Sequence, residues 1–429
     1  MKTFTKQLFL LPALIAALGL LLTGRATAQP VTTLHTFPVS VLGINSDGAK
    51  PLAGPILSGN TLYGTAYIGG TNGKGAVFAV NTDSSGFTNL HSFTTLLGPF
   101  PPTNSEGADP RGGLLISGNT LYGTANAGGS SGVGTVFAVS TNGTGFTNLY
   151  NFSGGDDGVN PQGGLVLAGS TLYGTTFNGG TNGNGTVFAI NTNGAGFTKL
   201  YSFTAKNYNG VTGGMTNSDG ANPYAGLILS GGTLYGTAST GGDSDFGSGT
   251  VFAINTNGAG FTNLHSLTYA DGASPFAGLI LSGKTLYGAA AFRGSSGYGT
   301  LFAVNTNGTG FTNYYNFSGG SDGAYPEGSV ILSGNTLYGT AEGGDSSSAN
   351  GNVFSLALVF APRLNIIRSG TNVIVTWTNT ASGFTLLFTT NLVSPAVWTT
   401  NSPLPVVING QNTVTNPIAG TKKFYRLVK

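Results

Sequence analysis

The chain contains no cysteine. A disulfide framework, thiolate metal ligands and a cysteine nucleophile are therefore excluded. Charge is scarce as well: 7% of residues are charged, against roughly a quarter in ordinary soluble domains. Histidine is almost absent, with three in 429 residues. His35, His91 and His265 lie in "LHTF", "LHSF" and "LHSL", three versions of one repeated segment that elsewhere carries tyrosine. A position that takes Tyr or His interchangeably reads as a structural slot. No histidine is then left for a Ser-His-Asp triad, a nucleophile–base pair or a zinc site. No metal and no cofactor is expected. A helical 3.6-residue apolar period is also missing from the long central region.

What is present divides into three parts. Residues 1–28 carry Lys2 and Lys6, an apolar stretch from Leu8 to Leu22 and the small-x-small site "ATA" at Ala26–Ala28. The apolar stretch is shorter than the roughly 20 residues of a membrane span. This pattern is a secretory signal peptide cut after Ala28, with an uncleaved anchor as the alternative. No later run is long enough to span a membrane, so the expected location is extracellular, cell-surface or periplasmic.

Residues 31–358 are repetitive. "TLYG" occurs at Thr61, Thr120, Thr171, Thr233, Thr285 and Thr336, at spacings of 59, 51, 62, 52 and 51 residues. Each copy has the same order. In the third these are "GGLVLAG", "STLYGTT", "GTVFAIN" and "GFTKLYSF". All four segments are short, rich in β-branched and aromatic residues and bounded by Gly, Asn or Ser, which is strand chemistry punctuated by turns. Four strands per unit of about 50 residues, six times over, predict a six-bladed β-propeller. The sixth copy stops at "NVFSLAL" (Asn352–Leu358) and lacks a "GFTNL" strand. "TTLHTF" (Thr32–Phe37) matches the missing segment and is expected to close the ring, removing open sheet edges. The glycine of TLYG is expected to admit a neighbouring backbone. The six tyrosines are expected to pack sheet on sheet rather than to stack on a ligand.

The units "DGAxPxAGLILSGNTLYGTAxxGGxxGxGTVFAVNTNGxGFTNLYNF" resemble the GloVer tandem repeat of secreted bacterial "choice-of-anchor" proteins. The resemblance covers about Thr32 to Leu358. It implies an exported, propeller-like repeat region followed by a variable surface anchor, and no defined activity.

Residues 361–429 hold both tryptophans, Trp377 and Trp398, and strand-like runs such as "NVIVTWT", "GFTLLFTT" and "KFYRLV". Six or seven short strands predict a small fibronectin-III-type β-sandwich. Its ending resembles a C-terminal β-module of exported proteins from related bacteria. Charge is segregated. Residues 30–358 contain all fourteen acids and seven bases, a net of −7, while the last part has six bases and no acid. Lys422, Lys423, Arg426 and Lys429 therefore suggest attachment to an anionic glycan or polysaccharide surface, with a merely solubilising role as the alternative. Nucleic acid is not expected as a partner, because no binding motif accompanies the charge. The chain is expected to be monomeric.

Carboxylates remain. Asp47, Asp157, Asp219, Asp271 and Asp322 precede glycine in the loops between repeats, with Glu106 in the sixth. Turn capping accounts for them better than calcium, which takes six to eight oxygens. Asp243, Asp245, Glu342 and Asp345 break the repeat in the loops between second and third strands. Phe100 and Tyr208, on the long insertions 94–105 and 204–218, are expected on the same face as those loops, with Phe292 and Arg293. These eight are the ligand-binding candidates, since function favours loops over a rigid scaffold. Three readings follow: a surface-associated binding or adhesion scaffold, a lectin-like sugar binder, and a glycoside hydrolase or polysaccharide lyase using two of these acids.

Overall fold

The computed structural model describes residues 33–39, 43–210, 213–244, 246–343, 351–358, 364–378, 384–393, 396–418 and 422–428. The signal-peptide region, Asp245, Asp345 and Lys429 lie outside them. Every strand pairing is antiparallel apart from isolated bridges, and the described residues contain no helix. Five four-stranded sheets follow one another along the chain, each in sequential strand order. The third is built from Val166–Ala168, Thr171–Thr176, Thr186–Asn191 and Thr198–Ser202. The sixth repeat makes a three-stranded sheet, ending at Asn352–Ala357. The insertion before the fourth sheet adds a small sheet of its own, with Asn207–Tyr208, Met215–Ala221 and Thr240–Gly242.

The core lies between sheets. Tyr173, Val187 and Phe203 of the third repeat share a cluster with Leu234, Phe252 and Ile254 of the fourth. Four equivalent clusters join the other consecutive pairs. This is why the strands are apolar on both faces. The first five TLYG tyrosines are buried, at 2–9% exposure, whereas Tyr338 of the last sheet is 39% exposed.

The TLYG glycine has a different reason from the one expected. Gly174 pairs with Phe188 on the adjacent strand, and a Cβ on Gly174 would lie 2.6 Å from Phe188 Cζ. The small residue makes room for the phenyl ring of its own sheet, not for a neighbouring backbone. Backbone approach between repeats occurs instead at Gly163, where a Cβ would lie 2.6 Å from the Ala225 carbonyl, while Gly185 makes room for a proline ring. The φ of Gly185 is +98°, and a Cβ there would lie 2.7 Å from Pro223 Cδ of the next repeat.

The N-terminal segment supplies one half of the expected closure. His35 stacks on Phe87 at 3.5 Å, and Phe37 meets Phe78 edge-on at 5.3 Å. Tyr150 on Phe197 and Phe152 on Phe188 repeat this geometry between the second and third sheets. Relative to the first sheet, residues 33–37 therefore occupy the place of a preceding fourth strand. The other half, a backbone ladder to the sixth sheet, is not present among the described residues. Residues 33–39 form no strand, and Val353 on the last strand is 80% exposed. An open hollow of about 260 Å³ lies there, lined by Tyr315, Phe317 and Phe354 among others.

Residues 364–428 form a four-stranded and a three-stranded sheet. Val375, Trp377 and Val414 of the first pack with Leu386 of the second.

Candidate ligand-binding site

The loops between repeats and the loops after each TLYG strand come together, as the alternation of strand direction requires. Isolated bridges join Ala108 to Ala127, Val159 to Asn178 and Ala273 to Phe292. The loop carboxylates are occupied by protein. Asp157 Oδ2 accepts the Tyr150 hydroxyl at 3.0 Å and the Ser153 amide at 2.7 Å. Asp219 and Asp322 do the same with Tyr201 and Tyr315. In the other three copies the partner is histidine: His35–Asp47 at 2.9 Å, His91–Glu106 at 3.3 Å and His265–Asp271 at 3.0 Å. The Tyr/His slot is thus a flat ring that stacks on the next sheet's phenylalanine and turns its tip to the loop carboxylate, with a hydrogen bond in the three tyrosine copies and at His265 and with His35 and His91 at ion-pair distance. The Asp does more than cap its own turn, since it ties the outgoing strand to the following loop. Burial pushes the His91 pKa down, against the raising effect of Glu106. Burial raises the Tyr150 and Tyr201 phenols, and Asp157 and Asp219 raise them further. No group of three or more potential metal ligands occurs among the described residues.

Of the candidates picked from sequence, Asp245 and Asp345 lie outside the described residues, and the others are not gathered into one cluster. Phe100 is 96% exposed and Tyr208 69% exposed. The Asp243 amide donates to Ser266 Oγ at 3.0 Å. Arg293 has φ +63°, donates to Ser248 Oγ at 2.8 Å and lies 5.1 Å from the ring centres of both Phe246 and Tyr269. Glu342 faces Glu327. Crowding by protein atoms, then the Glu342 charge, holds Glu327 above the ordinary carboxylate range. In the C-terminal part, Arg426 lies 4.1 Å over Trp398 and Lys423 4.9 Å over Phe388, while Lys422 is exposed.

A second set was missed. The segment Ala/Val-x-Pro-y, where x and y flank the proline of each inter-repeat loop, differs in every copy although the residues around it barely change. The x residues are Lys50, Asp109, Asn160, Asn222, Ser274 and Tyr325, all left-handed with φ of 54–58°. Five of them donate their amide to the loop of the preceding repeat, as Asn222 does to Asn184 O at 2.7 Å. That backbone anchoring leaves the side chains free to vary. The y residues include Arg111, Tyr224 and Phe276. Arg111 Nη2 donates to the Tyr67 hydroxyl at 3.0 Å, and its guanidinium lies 4.4 Å from that ring centre. Burial works against the Arg111 charge, but the oxygens of Tyr67 and Tyr224 outweigh it and raise its pKa. Tyr224 continues the row to Phe276 at 5.2 Å, Phe276 to Phe292 at 6.2 Å and Phe292 to Tyr325 at 5.4 Å. Phe292 is the one sequence candidate in this row. The signal that could have found the others is variation at one fixed position within otherwise copied repeats.

The family model described as the Gloeobacter/Verrucomicrobia repeat matches residues 100–221 and 211–390. No curated protein matches the chain. Among solved structures, a gluconolactonase from Xanthomonas campestris is 14% identical, with 73% of this chain and 87% of that one covered at a TM-score of 0.41. A PL25 polysaccharide lyase, an ulvan lyase solved with a bound saccharide, is 11% identical, with 77% and 82% covered at 0.42. A chain of a nidogen/laminin complex is 15% identical, with 62% and 78% covered at 0.38. At such scores the likeness is a general one.

Proposed function

The chain belongs to the Gloeobacter/Verrucomicrobia repeat family, and from that premise we propose that it is an exported, surface-associated binding scaffold. Residues 31–358 form a six-bladed β-propeller, with residues 32–37 as the outer strand of the sixth blade. Residues 361–429 form a β-sandwich that attaches the protein to an anionic cell-surface glycan. The observation that carries this reading is the segregation of charge, with six bases and no acid in the last part. Lys422 and Arg426 are exposed there. The bonding of the repeat carboxylates to Tyr and His supports a scaffold over a catalyst, because it spends those groups on holding repeats together. The stacking of His35 and Phe37 on the first sheet supports the ring. The test is retention on cells that export the chain. Surface protease should reach it, and a high-salt wash should release it, since exposed charges are screened over about 8 Å at physiological ionic strength. A chain that stays inside the cell contradicts the proposal.

A lectin-like reading stands second, favoured by the half-buried aromatic row from Tyr67 to Tyr325.

A further inference from the structure

The row of side chains around Arg111 is drawn from five repeats. Tyr67 follows the TLYG strand of the first, Arg111 opens the second, Tyr224 the fourth, Phe276 the fifth and Tyr325 the sixth. In sequence they are far apart, and in space they follow one another, Tyr67 to Arg111, Arg111 beside Tyr224, Tyr224 to Phe276, and Phe276 to Tyr325 by way of Phe292. All five are half-buried, so they are neither core nor freely solvated. No carboxylate lies within ion-pair distance of Arg111 among the described residues. Asp109, two residues earlier, feels both Lys74 and Arg111 without pairing. A second cation is tied to the loop that carries Tyr224. Lys206 Nζ donates to Asn222 Oδ1 at 3.0 Å and to Thr240 Oγ1 at 3.2 Å, and no acid pairs with it among the described residues.

A guanidinium with Nη2 on the Tyr67 hydroxyl, Nε buried without a partner and no carboxylate beside it, set against flat aromatic faces, suits one ligand chemistry. The planar fork takes an oxyanion in two parallel hydrogen bonds. The faces of Tyr224 and Phe276 suit the C–H face of a sugar ring, as apolar bodies with room for polar edges. We propose that the Arg111 row binds an anionic sugar, a pyranose bearing a carboxylate or a sulfate ester, with the guanidinium on the oxyanion and Tyr224 and Phe276 against the ring. This rests on the reading of the repeats as a binding scaffold and names the ligand class that the scaffold takes. It places that ligand at the Ala/Val-x-Pro-y loops rather than at Phe100 or Tyr208 on the insertions.

The experiment is calorimetric titration of the full chain with oligomers of galacturonic acid, with their methyl esters, with sulfated galactose oligomers and with neutral galactose oligomers. One or both acidic series should bind, at least roughly tenfold more tightly than the ester and neutral series, and binding should weaken with salt. Arg111→Gln should remove at least roughly tenfold of that affinity, and Lys284→Gln, on a remote exposed turn, should leave it unchanged. The two acidic series tell carboxylate from sulfate. Equal binding of neutral and acidic oligomers overturns the proposal, as does full affinity in Arg111→Gln or an equal loss in Lys284→Gln. Should Arg111→Gln fail to fold, Tyr224→Ala takes its place. The acid-against-ester preference should also survive in Lys422→Gln, Lys423→Gln, Arg426→Gln and Lys429→Gln combined, which removes the basic module's own attraction for acidic oligomers; loss of the preference in that folded variant overturns the proposal. No glycan binding by a chain that still binds anionic vesicles overturns this site and leaves the surface-attachment reading standing.

Discussion

The hydroxyl of Tyr150 donates to Asp157 Oδ2 at 3.0 Å while its ring stacks on Phe197 of the next sheet at 3.9 Å. One side chain therefore joins a strand, the loop that follows it and the neighbouring repeat. Tyr150→Phe keeps the stack and loses the bond, at an expected cost of about 1 kcal/mol. Asp157→Ala also strands the Ser153 amide and should cost about 2–3 kcal/mol. Urea denaturation of the two variants checks the order, and equal costs would contradict it.

The His91 version of this link should be sensitive to acid. The folded pKa of His91 lies below its unfolded value, with burial as the first cause. The unfolded chain then binds the proton more readily, so stability is full above the unfolded pKa, about 6.5, and falls as pH drops below it. His91→Tyr with Glu106→Asp installs the pair found at Tyr150–Asp157. The double variant should lose less stability than the parent between pH 7.5 and pH 5.5. Parallel melting curves at the two pH values check this, and identical losses would contradict it.

Gly174→Ala should destabilise by about 1–3 kcal/mol, as overpacking does in a filled core, because the new methyl meets the Phe188 ring. Gly169, on an open turn with nothing within 4 Å, is not an equivalent control, since its φ of +60° strains any side chain. The informative partner is Gly174→Ala with Phe188→Leu, which vacates the space and should recover part of the loss. A double variant no more stable than the sum of its parts would contradict the contact.

Deleting residues 31–37 removes the His35 and Phe37 contacts to Phe87 and Phe78. The deletion should lower the melting temperature, because Phe78 and Phe87 lose their ring partners and stand uncovered on the first sheet. Unchanged cooperative melting would show that the segment closes nothing.

Much of the fold was legible because six copies report the same strands. "TVFAIN" and "STLYGTT" carry their turns and their two-sided apolarity in the letters. The purpose of Gly174 was not legible, because its ring partner Phe188 is known only from the strand register. The Tyr150–Asp157 link was read as a turn within one loop, since sequence shows neighbours and not which ring tip reaches which carboxylate. Arg111 and Tyr224 lay further out of reach, with two sheets of chain between them. The eight loop candidates were chosen by exposure and charge, and those properties alone do not bring side chains together.

The claim that the chain is a surface-attached scaffold is tested most directly by equilibrium binding to vesicles of lipopolysaccharide. The parent chain is compared with Lys422→Gln, Lys423→Gln, Arg426→Gln and Lys429→Gln combined, at low and at high salt, with tryptophan fluorescence to verify folding around Trp377 and Trp398. The account predicts that the parent binds at low salt, loses most of that binding at high salt, and that the folded quadruple variant at low salt behaves like the parent at high salt. Equal binding by parent and variant would contradict it.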